Sequence, residues 1–154
     1  MSLYLFALLI GVVAGLRALT APAAVAWGAH LGLIPLQGTS LAWLGNPIAV
    51  GVFTLLAAVE LVGDQLPKTP SRKVPVQFGT RILTGAFSGA AIGLLGGAWI
   101  GGAIAGAIGA VIGTLGGADV RARLAKAFGK DLPAALIEDV VAIGGAVLIV
   151  IATK

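Results

Sequence analysis

Two carboxylates, Glu60 and Asp64, stand four residues apart at the end of an apolar run, in "AVELVGDQLPKTPSRK" (58–73). On a helix this spacing puts both on one face, a turn apart. A second acidic pair, Glu138 and Asp139, lies in "IEDVVAIG", and two isolated cations, Arg17 and Arg81, lie in "GLRALT" and "RILTG". Ionisable groups inside apolar segments cost roughly 2.5–3.5 kcal/mol each on insertion scales and mark ion, proton or solute sites by default. Four acids against two arginines leave surplus negative charge, which favours a cation or a proton. Glu60 and Asp64 would bind or relay charge, Arg17 and Arg81 would position or release them, and Glu138 and Asp139 would be their partners.

The elements that carry these residues are membrane-like. Of 154 residues, 58% are hydrophobic and 10% charged, against about a quarter charged in a soluble domain, and the mean hydropathy is +1.06. Stretches 1–16, 18–59 and 82–118 lack Asp, Glu, Lys and Arg, and apolar runs of 18 or more residues read as spans. The expected fold class is therefore all-α: one integral-membrane domain over 1–154, a polytopic bundle of about six segments.

Residues 2–34 would be about 50 Å as one straight helix, too long for a hydrocarbon core of about 30 Å. The stretch must break near 17–22, where Arg17 and Pro22 interrupt it. Two short helices are the first reading and one kinked helix is the alternative. The N-terminal run lacks a preceding basic region, so it reads as a retained span rather than a signal peptide. Residues 35–46 form an interfacial loop with Trp43. Asn46-Pro47 is a helix start, with a capping side chain and then proline at the first helical position. The span expected over 47–66 stops at Pro67, and 67–76 is a polar loop. Residues 82–118 require a hairpin of two spans turning at Gly96-Gly97. Residues 119–131 suggest a short amphipathic surface helix, with Asp131 capping a last span over 132–152.

The basic loops 67–76 and 119–131 are cytoplasmic by the positive-inside rule. Both termini then lie outside, in a cell inner membrane, and the ionisable groups inside the spans fall in the cytoplasmic third. Acids suit helix N-termini and cations suit C-termini. Glu60 and Asp64, at the end of a helix, and Arg81, near the start of one, are therefore misplaced unless they face and pair with each other. Lys68, Arg72, Lys73, Arg121, Arg123 and Lys126 are candidate contacts for anionic lipid headgroups. A shift of 78 residues aligns Gly11 with Gly89 and Glu60 with Glu138, so a 3+3 inverted repeat is a candidate symmetry.

Glycines at 85, 89, 93, 97 and 101, and again at 102, 106, 109, 113 and 117, let helices approach closely. Packing within one chain is the first reading, and a homodimer interface the second. There is no Cys and a single His, His30, which excludes disulfides, thiolate metal sites and a multi-His metal site within one chain. No metal or other cofactor is expected. His30 reads as an interfacial or hydrogen-bonded side chain. The net charge of +4 concerns orientation and lipid rather than nucleic acid.

The ordered set "GLRALTAPAAVAWGAHLG", "ELVGDQLPKTPSR", "RILTGAFSGAAIG", "GTLGG…R" and "IEDVVAIG" resembles the small integral-membrane family called domain of unknown function 4126. The resemblance covers most of the chain and implies a bacterial-type membrane protein without an established activity. Its motifs fall on Arg17, Glu60, Asp64, Pro67, Pro70, Ser71, Arg72, Arg81, Arg121, Glu138 and Asp139. Where the resemblance implies Lys after the second acid, Gln65 stands here.

Transport or conduction of a small cation or polar solute is the leading function expected, with proton coupling as a variant of it. A structural or assembly protein without a solute path is the alternative. A lipid-headgroup enzyme, using the acid-plus-basic stretch "GDQLPKTPSRK", ranks third, because the motif is loose and no established catalytic spacing appears.

Overall fold

In a computed structural model, described for residues 2–67 and 69–154, the described residues form six α-helices joined by turns and two short 3-10 turns. The helices are α1 (Leu3–Leu16), α2 (Thr20–His30), α3 (Pro47–Gly63), α4 (Pro75–Gly93), α5 (Trp99–Phe128) and α6 (Asp131–Ala152). Three are long and apolar enough to cross a membrane: α4 with the 3-10 turn that follows it, α5 and α6. The other two apolar helices of note are shorter, α1 with 14 residues and α3 with 17. Large apolar side chains such as Ile48, Leu55, Val59, Leu83, Val140 and Leu148 point outward, the surface a lipid-facing bundle presents.

The break expected near 17–22 is a turn at Arg17–Leu19, so residues 3–30 form two short helices. The Asn46 side chain accepts the Ile48 N–H at 2.8 Å, and Pro47 opens α3. The turn between α4 and α5 falls at Gly96-Gly97, where Gly97 takes φ +69, a conformation other residues adopt only with strain. His30 Nδ1 lies 2.9 Å from the Gly45 carbonyl oxygen, a hydrogen-bonded role as expected.

Three elements differ from expectation. The surface helix over 119–131 is the last part of α5, which runs unbroken to Phe128. Helix-favouring Ala, Arg, Leu and Lys carry it on, and the break comes only at Gly129, with φ +73. Lys130 rather than Asp131 stands at the N-cap of α6, and Asp131 falls in the first turn, its carboxylate held by Arg121 at 2.9 and 2.6 Å. In addition, α3 ends at Gly63, short of the expected 66. The chain tightens there through Gln65 N–H to Val62 O and Leu66 N–H to Gly63 O, while the Thr69 hydroxyl also bonds to Gly63 O.

The core is built on backbone contact. A Cβ at Gly106 would strike the Gly85 carbonyl, one at Gly89 the Gly102 carbonyl, and one at Gly11 the Gly106 carbonyl. The glycine faces of α1, α4 and α5 therefore meet inside one chain. Leu3 reaches Gly96 and Leu16 reaches Gly117, so α1 runs parallel to α5 and antiparallel to α4. Pairings of Leu19 with Glu60 and of Trp27 with Thr54 make α2 and α3 antiparallel. At the end away from the charges, Ile34, Leu36 and Leu44 are fully buried, and the Trp43 ring packs with Phe53 and Phe87 at centroid distances of 6.3 and 6.2 Å.

Candidate functional site: a charged vestibule below a short hairpin

The α1–α2 hairpin is short. Its helices have 14 and 11 residues, about 21 and 16 Å. Its turn meets α4 at Arg81 and α6 at Asp139, about 9 and 12 Å inside the ends of those helices. Beyond Gly117, which touches Leu16, α5 continues to Phe128, about 17 Å further. The turn thus lies deep in the bundle. A cavity of about 530 Å³ opens near it, lined among others by Asp64, Ser71, Arg72, Arg81, Arg121 and Asp131.

A buried helix turn leaves carbonyls at the end of one helix and N–H groups at the start of the next, and both need partners. Arg81 supplies the first. Its Nη1 donates to Gly15 O at 2.9 Å and Leu16 O at 2.7 Å. Glu60 supplies the second, accepting the Ala18 and Leu19 N–H groups, each at 2.7 Å. This accounts for the charges that oppose their own helix dipoles. Glu60 closes α3 but faces the positive start of α2, and Arg81 opens α4 but sits on the negative end of α1. The direct pairing expected between them is secondary, with Arg81 Nη2 3.8 Å from Glu60 and 3.7 Å from Asp64.

Arg17 is fully buried. Its Nε donates to Asp139 at 2.6 Å, its Nη1 donates to Asp64, and its Nη2 lies 3.6 Å from Glu138. The structure therefore brings together all six expected residues: Arg17, Glu60, Asp64, Arg81, Glu138 and Asp139.

It also recruits residues expected elsewhere. Arg72 and Arg121, assigned from sequence to lipid headgroups, turn inward. Arg72 grips Glu138 with both terminal nitrogens, Nη2 at 2.8 Å, and Arg121 Nη1 reaches the same carboxylate at 3.2 Å. Arg121 also donates to the Asp64 carbonyl at 3.2 Å, tying α5 to the end of α3. Gln65 donates to Asp139 at 3.0 Å. Gly117 leaves the space for this, since a Cβ there would stand 3.2 Å from Arg72 Nη1 and 2.5 Å from Leu16. Lys73, Arg123 and Lys126 are exposed, Arg123 pairing with Asp119 at 2.9 Å along α5. Lys68 lies outside the described residues.

These additions correct the charge balance. Arg17, Arg72, Arg81 and Arg121 face Glu60, Asp64, Glu138 and Asp139, with Asp131 at the rim. Four arginines now match the four buried acids, so the surplus inferred from sequence shrinks to the exposed Asp131, and the preference for a cation goes with it. The surplus was itself the available signal, because four buried acids with two arginines required further cations. No group of three potential ligands among the described residues is placed to hold a metal ion.

A membrane-type helical bundle with ionisable groups around a buried hairpin turn is the class of protein that this fold and site define. The family model described as domain of unknown function (DUF4126) matches residues 4–153, essentially the whole chain. The chain belongs to that family. No curated protein and no solved structure matches it.

Proposed function

We propose that the protein transports or conducts a small polar or charged solute across a cell inner membrane. The observation that carries this reading is the hairpin turn at Arg17–Leu19, joined inside the bundle to Asp64 and Arg81, two residues that line the open cavity. Non-helical backbone at membrane depth is tolerated where it is buried in protein or lines a water-filled space, and helix ends facing such a space form the binding sites of many transporters. In this reading the basic loops and the cavity mouth face the cytoplasm and both termini lie outside. The exposed Lys73, Arg123 and Lys126 meet anionic headgroups.

A structural role is the second reading, favoured by the full pairing of the buried acids. The lipid-headgroup enzyme loses ground, because the Asp64 carboxylate it would use is engaged by Arg17 and flanked by Arg81. Flux through reconstituted vesicles separates the first two readings. Transport expects uptake of a polar solute or proton movement that Glu60→Gln abolishes. Absence of flux for every ion and small solute tried, with folded protein in the bilayer, would leave the structural role.

A further inference from the structure

The chemistry still open in the charged layer is donor chemistry. Every buried acid is engaged, but two buried guanidinium nitrogens lack a hydrogen-bond acceptor among the described residues: Arg81 Nε, and Arg17 Nη2, which has only its 3.6 Å ion pair with Glu138. Arg81 is 2% exposed, and its Nη2 has only ion pairs of 3.7 and 3.8 Å, beyond hydrogen-bond length. A buried donor without an acceptor costs about 1–3 kcal/mol, more when charged. Arg81 lines the cavity, together with Arg72 and Arg121. Three guanidinium groups therefore border one space, against Asp64, already engaged by Arg17, and Asp131 at the rim. The volume, about 530 Å³, falls in the roughly 300–1,000 Å³ range of small-molecule sites.

We infer that the cavity binds a small oxyanion, a phosphate or carboxylate group whose oxygens accept from Arg81 and from Arg72 and Arg121. Guanidinium forks match such groups in geometry and charge. Binding competes with Glu138 for Arg72 and Arg121, so the occupant loosens the grip of the 64–74 loop and α5 on α6. This deepens the transport reading by naming the class of solute, and it rests on that reading's view of the cavity as solute-facing.

The test uses the full chain in detergent, with inorganic phosphate, sulfate and acetate compared with chloride at equal ionic strength. Melting temperature and calorimetric binding are the readouts. Phosphate should raise the melting temperature where chloride does not. Asp131→Asn removes the rim carboxylate that holds Arg121 and should tighten phosphate binding, while Arg72→Lys should weaken it about tenfold. The melting temperature of each variant in chloride reports its folding.

Nanodiscs of phosphatidylcholine alone, against ones containing phosphatidic acid, separate a soluble anion from a lipid headgroup. Phosphate binding in the former supports a soluble ligand, and engagement of phosphatidic acid alone supports a headgroup. No oxyanion effect in any arm, or weaker phosphate binding by Asp131→Asn, overturns the inference. Flux of a cation or neutral solute would survive that failure, whereas oxyanion binding without any flux would keep the site and remove transport.

Discussion

Glu60 on α3 accepts the Leu19 N–H at 2.7 Å, so a carboxylate at the end of one helix closes the start of another. Arg81 mirrors it on the Leu16 carbonyl at 2.7 Å. Between them they complete a turn that would otherwise leave bare backbone in an apolar bundle. The same relationship makes Glu60 a test of structure as well as of function.

Glu60→Gln keeps the shape but leaves one oxygen for two N–H groups and places an amide NH₂ toward donors. A loss of about 1–3 kcal/mol is expected, read as a lower melting temperature of the solubilised protein. An unchanged melting temperature would show that the turn does not depend on this carboxylate.

Arg17→Met should cost more, about 3–5 kcal/mol, because it strands Asp64 and Asp139 without their buried cation. Arg17→Lys should recover only part of this, since one ammonium cannot replace a fork that reaches both acids. Equal stability of the Lys variant and the parent in chemical denaturation would contradict the geometry.

Two glycines of α5 should respond with opposite signs. At Gly106 an added Cβ strikes the Gly85 backbone, whereas at Gly116 it meets nothing within 4 Å. Gly106→Ala should destabilise the bundle or block its assembly. Gly116→Ala should be neutral or raise stability by up to about 1 kcal/mol through helix propensity. Thermal unfolding of the two variants side by side reads this directly.

Neighbouring cations should separate likewise. Arg72→Gln removes both bonds to Glu138 and should lower stability. Lys73→Gln should leave stability unchanged and weaken only attachment to anionic vesicles. Equal effects of the two on melting temperature would show that Arg72 is not held inward.

Much of the charged layer was legible. The six ionisable residues in apolar segments were identified by the cost of placing them there, and the structure brings all six together. Asn46-Pro47, Gly96-Gly97 and the Arg17 turn were legible too, because capping, positive φ and bilayer thickness are local constraints. Arg72 and Arg121 were not. A basic residue beside a span reads as a headgroup contact until a neighbouring helix presents an acid, and Glu138 lies 66 and 17 residues away from them. The continuity of α5 through 119–128 is hidden by its charges, which resemble a boundary, although nothing in that stretch breaks a helix.

What the chain determined by itself is its class: all-helical, membrane-type, glycine-packed, with ionisable groups in one layer. These follow from composition, run length and spacing, which act along the chain. Only the tertiary structure decided which helix end each charge serves. Glu60 opposes the dipole of its own helix and completes that of α2, and Arg81 does the reverse with α1. Such pairings depend on where a short hairpin stops inside the bundle, a depth set by backbone contact between α1, α4 and α5.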